Sequence, residues 1–430
     1  MVMNSNSQKY HGEWWVPAEL DPDNLCLFPR QFKGMEKRYT GTLTYHEKGK
    51  ATLELYHVPS KFHATLYKYN IVLWGKDADG KIFTLFNLVM NKQNIGEFTN
   101  ATFSIGCILK GEHVKSVEDA YFSRCIVKYP YLRNWAFHNY LLHKTQDDNS
   151  CYTLKNKRNN LVEVDVEEGV KWVLRHLFTE RCHDFSVTVS QDTEFVIDAP
   201  QGMSIYQYLK QITEFSQFLS IALYCEQNPS DIRFINKENN KQSTLLFTIE
   251  ESVEPAFYNL VKFKELKDKI PSMLSVWHKN FEKVSPISKY LVDSLRKNRV
   301  FDVPDFLIIA QALDGYHKRF VNKKDGKDIR KYEDQIGVLI KQFEDVEAIL
   351  KCNIDPKIVT DNRHKYSHLY PDDENTEVVD NVDLFWLTEK CKILLTCCLL
   401  NMMGLTNEEI NICCKQSPIE DAIEAYSFEF

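Results

Sequence analysis

The 430-residue chain lacks the signatures of several common catalytic scaffolds. Residues 161–249 have no glycine-rich phosphate loop, no strained nucleophile turn and no pair of carboxylates at catalytic spacing. Its 12 cysteines contain no Cys-x-x-Cys pair. The doublets Cys397-Cys398 and Cys413-Cys414 lie in or just after apolar helix and read as reduced core thiols. A zinc site built from both doublets is the alternative, but no histidine and no regular ligand spacing accompanies them. The expectation is a protein with no metal and no cofactor.

Positive charge is also scarce: 53 Lys and Arg against 60 Asp and Glu give a net charge of −7. Coating a nucleic acid through the overall field requires many cations, so any RNA site must be local. The strongest local basic run is Lys318, Arg319, Lys323, Lys324, Lys327, Arg330 and Lys331, interrupted by Asp325 and Asp328; such runs are otherwise solvated loops. The first seven residues have neither a charged start nor an apolar core, so they are no secretory signal. The longest nearly apolar stretch, 393–405, falls short of the ~20 residues needed to span a bilayer. A cytoplasmic location without a membrane partner is expected.

What the chain does have is 43% hydrophobic residues, enough for two or three domains with substantial cores. Residues 10–145 alternate short β-like runs with turn signals, as in 41–45, 51–56, 82–88 and 101–109, with a turn at Asp77-Ala78-Asp79-Gly80. Period-two alternation in Thr42-Leu43-Thr44-Tyr45 and Thr52-Leu53-Glu54-Leu55 implies an antiparallel sandwich or barrel. Trp14, Trp15, Trp74 and Trp135 suit core packing or, alternatively, a recognition surface. Residues 161–249 mix strands with one strong helix, 204–225, N-capped by Ser204, and read as an α+β lobe.

After residue 262 the pattern turns helical to the end and predicts an α-helical bundle. A helix starts at Pro271 and is punctuated at Pro286; a second, opened by Asp302 and Pro304, aligns Phe306, Ala310, Leu313, His317 and Phe320 on one stripe and Gln311, Asp314 and Lys318 on an adjoining one. A third is expected over 332–350, and a long apolar one over 384–403, ended by Gly404. The fold class is thus α+β, a β-rich N-terminal part followed by a helical C-terminal part.

Between the last two helices stands Asn362-Arg363-His364-Lys365-Tyr366-Ser367-His368. A guanidinium can hold a phosphate in a planar fork and an imidazole can exchange a proton near neutral pH. RNA cleavage needs both: the attacking 2′-hydroxyl loses a proton, the leaving 5′-oxygen gains one, and the phosphorane carries extra negative charge. Five residues of helix turn His368 about 140° from Arg363, so one side chain must wrap round or pair across a dimer. The same spacing also arises by chance.

The order Gln311-Ala312-Leu313-Asp314-Gly315-Tyr316-His317, then Arg363-x-x-x-x-His368, then a helix ending Met403-Gly404-Leu405, resembles the HEPN domain of ApeA-like abortive-infection proteins. Gly12-Glu13-Trp14-Trp15-Val16-Pro17, Gly41-Thr42-Leu43-Thr44-Tyr45 and Leu53-Glu54-Leu55 resemble the opening of the ApeA-type N-terminal domain. The resemblance implies a β-rich ApeA-type domain over 1–150, an α+β lobe of the same sensing region over 151–262 and a HEPN domain over 263–430. It further implies a metal-independent endoribonuclease that cuts RNA, with tRNA one candidate, as a homodimer or larger homo-oligomer triggered by a phage component. Arg363 and His368 would be catalytic, with Asp314, Gln311, His364 and Tyr366 supporting and Lys318, Arg319, Lys323 and Lys324 contacting RNA. The family usually has Glu at the position of Asp314 and a small polar residue at that of His364. The alternative is a HEPN module that only dimerises or binds RNA or nucleotide. An acidic run, Asp372, Asp373, Glu374, Glu377, Asp380 and Asp383, follows the motif and with Asp361 makes seven acidic groups around it, read as a restraint on the resting site or as an ordinary solvated loop.

Overall fold

The computed structural model describes residues 7–17, 38–46, 51–58, 72–94, 100–118, 120–136, 143–144, 152–153, 160–184, 186–247, 250–296, 303–321, 323–324, 327–369 and 377–427. Twelve strands form one antiparallel sheet: β1 (Ser7–Trp15), β2 (Tyr39–His46), β3 (Ala51–Leu55), β4 (Leu73–Asp77), β5 (Ile82–Asn94), β6 (Asn100–Lys110), β7 (Tyr121–Lys128), β8 (Asn160–Glu167), β9 (Val170–His183), β10 (Ser186–Ser204), β11 (Asp231–Asn236) and β12 (Gln242–Phe247). Their spatial order is β8-β9-β10-β7-β11-β12-β6-β3-β2-β1-β4-β5.

The choice between sandwich and barrel is settled by β5. This 13-residue strand pairs with β4 at one edge and with β6 at the other, from Phe83 opposite Lys110 to Asn94 opposite Asn100, closing six strands into a barrel. Alternate residues point inward: Leu43, Leu53, Leu55, Leu73, Phe83, Leu85, Phe103 and Ile105 fill the interior. Trp14 is fully buried against Phe83, and only glycine fits beside it, because a Cβ on Gly75 would lie 2.2 Å from two Trp14 ring atoms. The predicted turn is present, with Gly80 at φ +83° and Asp77 accepting from the Asp79 and Lys81 amides. Trp14, Trp15 and Trp135 are buried, and Trp74 donates to the Val114 carbonyl at 2.8 Å, so these rings serve packing rather than a recognition surface.

Through β12 the same sheet continues from the barrel into the lobe, where helix α1 (Ile205–Leu223) covers it. Ser204 caps α1 as predicted, in a reciprocal box with Gln207. Phe215 of α1 stacks on Phe195 at 3.8 Å, and Trp172 meets both rings edge-on while its indole donates to Gln211.

The remainder is helical: α2 (Ile270–Leu295), α3 (Val303–Tyr316) with a π-helical continuation (His317–Val321), α4 (Tyr332–Gln342), α5 (Glu347–Cys352), α6 (Pro356–His368), α7 (Asn381–Met402), α8 (Asn407–Cys414) and α9 (Pro418–Ser427). Two helix boundaries differ from the sequence reading. Pro286 does not punctuate α2, which runs through it for 26 residues; apolar burial on both sides, by Phe281, Val284, Ile287 and Leu291, outweighs one missing backbone hydrogen bond. Conversely, the helix expected over 332–350 breaks after Gln342, because Phe343 and Val346 both turn into the core and Asn411 of α8 bonds the Asp345 carbonyl and the Glu347 amide. The break converts one amphipathic helix into two.

Helical bundle and lobe share one hydrophobic core, joined at α2: Trp277 is fully buried and its indole donates to the Glu214 carbonyl of α1 at 2.9 Å. No helix of the described residues is long and apolar enough to cross a membrane. Asp302, which was expected to open α3, lies outside the described residues.

Candidate active site

The motif lies on α6. Asp355 caps this helix by accepting from the Lys357 amide at 2.7 Å, and Pro356 takes the first helical position, where no backbone donor is needed. Only Val359 and Asn362 of α6 are fully buried, and Lys357, His364, Ser367 and His368 are exposed. Leu369 ends it in the left-handed conformation, φ 53°.

Arg363 turns towards α3. Its guanidinium lies 3.4 Å from Asp314 Oδ2 and 4.3 Å above the Tyr332 ring, leaving the side chain 29% exposed. Asp314 therefore reaches Arg363 despite its short side chain, and it also receives Lys318 Nζ at 2.8 Å. Tyr332 is held by its own hydroxyl, which donates to the Ala310 carbonyl at 2.9 Å; burial pushes its phenol well above the usual range, so the ring is a neutral platform for the cation. An aromatic face and one carboxylate fix the plane of the guanidinium while leaving donors for a phosphate.

Asn362, beside Arg363, is fully buried and works as a clamp. Its amide donates to the carbonyls of Ile358 (2.8 Å) and Glu377 (3.0 Å), and its oxygen accepts from the Val379 amide at 2.9 Å. The Tyr366 hydroxyl bonds the Val379 carbonyl and its ring lies 6.4 Å from Phe306, so Tyr366 faces the bundle and braces the same segment. His364 and His368 share the outer face of α6, both exposed, with ring centroids 6.3 Å apart.

The other expected residues are dispersed. Gln311 is exposed on α3. Lys318 is committed to Asp314, and Arg319 donates to the Lys283 carbonyl of α2. Lys323 and Lys324 form a two-residue strand against Lys327 and Asp328, and their side chains lie outside the described residues. So do Asp372, Asp373 and Glu374 of the acidic run, whereas Asp361 accepts from the Glu377 amide at 3.2 Å. Among the described residues no group of three or more His, Cys, Asp or Glu is disposed to hold a metal ion.

Sequence reasoning missed Tyr332 and Asn362. Nothing in the periodicity around Tyr332 distinguishes a cation platform from a core ring, whereas a lone Asn at an inward-facing position of α6 is a readable sign of a buried polar clamp.

Two family models match the chain: ApeA N-terminal domain 1 over residues 9–277 and Apea-like HEPN over residues 307–409. The chain belongs to the ApeA family. Its N-terminal match covers barrel, lobe and the start of α2, and its HEPN match contains Asp314, Tyr332, Asn362, Arg363 and His368. Comparison with curated proteins yields no match, and neither does comparison with solved structures. This ApeA-like protein thus carries the domain pair of a HEPN-type abortive-infection effector.

Proposed function

We propose that the HEPN domain is a metal-independent endoribonuclease whose cleavage is held in check by the N-terminal region until a phage component releases it. The observation that carries this reading is the setting of Arg363, over the Tyr332 ring and against Asp314, on the same helix as the exposed His368. Arg363 binds the scissile phosphate and stabilises the charge of the phosphorane; His368 moves the proton of the 2′-hydroxyl or that of the 5′-oxygen. The P–O5′ bond breaks as O2′ attacks, giving a 2′,3′-cyclic phosphate and a 5′-hydroxyl. Pairing of two HEPN domains about a twofold axis brings two Arg363/His368 sets to one cleft. Restraint by the N-terminal region is supported by its continuity with the bundle: Lys262 donates to the Ile412 carbonyl at 2.8 Å, and Trp277 of α2 donates to the Glu214 carbonyl of α1 at 2.9 Å.

Expressing the protein, Arg363→Ala and His368→Ala in phage-infected cells, where the restraint is released, and sequencing 5′-hydroxyl RNA ends tests the reading. New ends with the native chain, absent with both variants and retained by the purified protein in excess chelator, are expected. A second reading, a HEPN module that binds RNA or dimerises without cutting, is favoured by the fact that Arg363 is already paired with Asp314; unchanged RNA ends with the native chain would select it.

A further inference from the structure

We propose that His364 is a second catalytic imidazole, and that His364 and His368 of one protomer form the general acid and general base of the cleavage. The inference rests on the ribonuclease reading and adds to it a residue and a division of labour.

The geometry of α6 carries it. Transphosphorylation needs one group to accept the 2′-hydroxyl proton and another to protonate the 5′-oxygen, on opposite sides of phosphorus. Arg363 cannot be either, since a guanidinium does not give up its proton. It is also turned away: five residues rotate it about 140° from His368, and the contacts to Asp314 and Tyr332 hold it on the α3 side. His364 stands only one turn from His368, about 40° round the helix, with the ring centroids 6.3 Å apart and tilted by 56°. Two imidazoles at this separation can flank one phosphodiester, while the charge on its non-bridging oxygens is met by an Arg363 that the pairing of two HEPN domains brings to the cleft.

Both rings are exposed, so neither contributes much apolar burial. In the proposed step the base takes the 2′-hydroxyl proton as O2′ bonds to phosphorus. The P–O5′ bond then breaks and the acid gives its proton to O5′. The base ends protonated and the acid neutral, and exchange with solvent restores both. No oxidant, metal or further reactant enters.

The test uses the full-length protein isolated from phage-infected cells, the released state, and a short RNA with a single cleavable linkage, in two forms: the natural 5′-oxygen and a 5′-bridging sulfur, whose thiolate leaves without help from an acid. His364→Asn and His368→Asn are compared with the native chain, and their melting curves are recorded so that a folding defect is recognised. On the oxygen substrate both variants are expected to lose on the order of 100-fold or more in rate. On the sulfur substrate one variant, the one lacking the acid, returns to within about tenfold of the native chain, and the other does not. Rescue of His364→Asn excludes a merely structural role; if His368→Asn is the variant rescued, His364 is the base, and loss of the acidic limb of the pH–rate profile in His364→Asn separates that from a structural defect, retention of the limb overturning the proposal. The proposal is overturned if His364→Asn cleaves the oxygen substrate at the native rate, if sulfur rescues neither variant, or if it rescues both equally. If instead the native chain is as inert as Arg363→Ala on both substrates, the ribonuclease reading itself falls, and His364 with it.

Discussion

Asn362 is the residue whose replacement tests most directly how the site is built. It is fully buried, and two of its hydrogen bonds cross from α6 to the segment that leads into α7, at Glu377 and Val379. Asn362→Ala deletes both, at about 1 kcal/mol each, and leaves the half-buried Val379 amide without its partner, adding about 1 kcal/mol after allowance for water reaching it. The expected loss is therefore about 3 kcal/mol, large for a single side chain. Urea unfolding followed by circular dichroism measures it, with an unchanged m-value showing that only stability moved. Asn362→Asp supplies a sharper control. It keeps an acceptor for Val379 but sets a carboxylate oxygen against the Ile358 and Glu377 carbonyls, so at neutral pH it costs at least as much as alanine, and lowering the pH recovers part of the loss. A cost below about 1 kcal/mol for Asn362→Ala would refute the view that this amide pins the segment to α6.

Three further outcomes follow from the packing. Gly75→Ala sets a methyl 2.2 Å from two atoms of the immobile Trp14 ring, so it destabilises the barrel by about 1–3 kcal/mol or more, and Trp14→Phe in the same chain restores part of the loss in thermal melts. Lys392 is buried between Asp305 (3.1 Å) and Glu389 (2.7 Å), so Lys392→Met leaves two facing carboxylates and costs about 3–5 kcal/mol in urea unfolding. Burial opposes protonation of His278, but Glu214 at 2.7 Å and Glu167 at 3.1 Å outweigh it and hold its pKa above the ordinary histidine value. A raised native pKa means that this clasp between α2, α1 and the end of β8 is fully formed below about pH 6.5 and weakens as pH rises through the native value; His278→Gln should flatten the fall in urea midpoint between about pH 6 and pH 9.

Much of the local structure was legible before any coordinate. The alternation in β2 and β3, the Asp77–Gly80 turn, the Ser204 cap and the apolar stripe of α3 are each set by neighbours a few residues apart, and each is where the chain placed it. The boundaries that moved are those where distant partners overruled local signals. Apolar burial carried α2 through Pro286, and Asn411, more than 60 residues downstream, stabilised the break between α4 and α5.

The candidate site divides in the same way. Residue types and spacing along α6 already named Arg363 and His368 as the groups able to hold a phosphate and move protons, because that chemistry resides in the side chains themselves. Barrel closure by β5, the seating of Arg363 on Tyr332, the shared use of Asp314 by Arg363 and Lys318, and the Asn362 clamp were decided only by the tertiary structure. The reason is physical: helix periodicity and capping act over a few residues, whereas a cation–aromatic contact or a buried amide bridge depends on which surfaces pack together across tens to hundreds of residues.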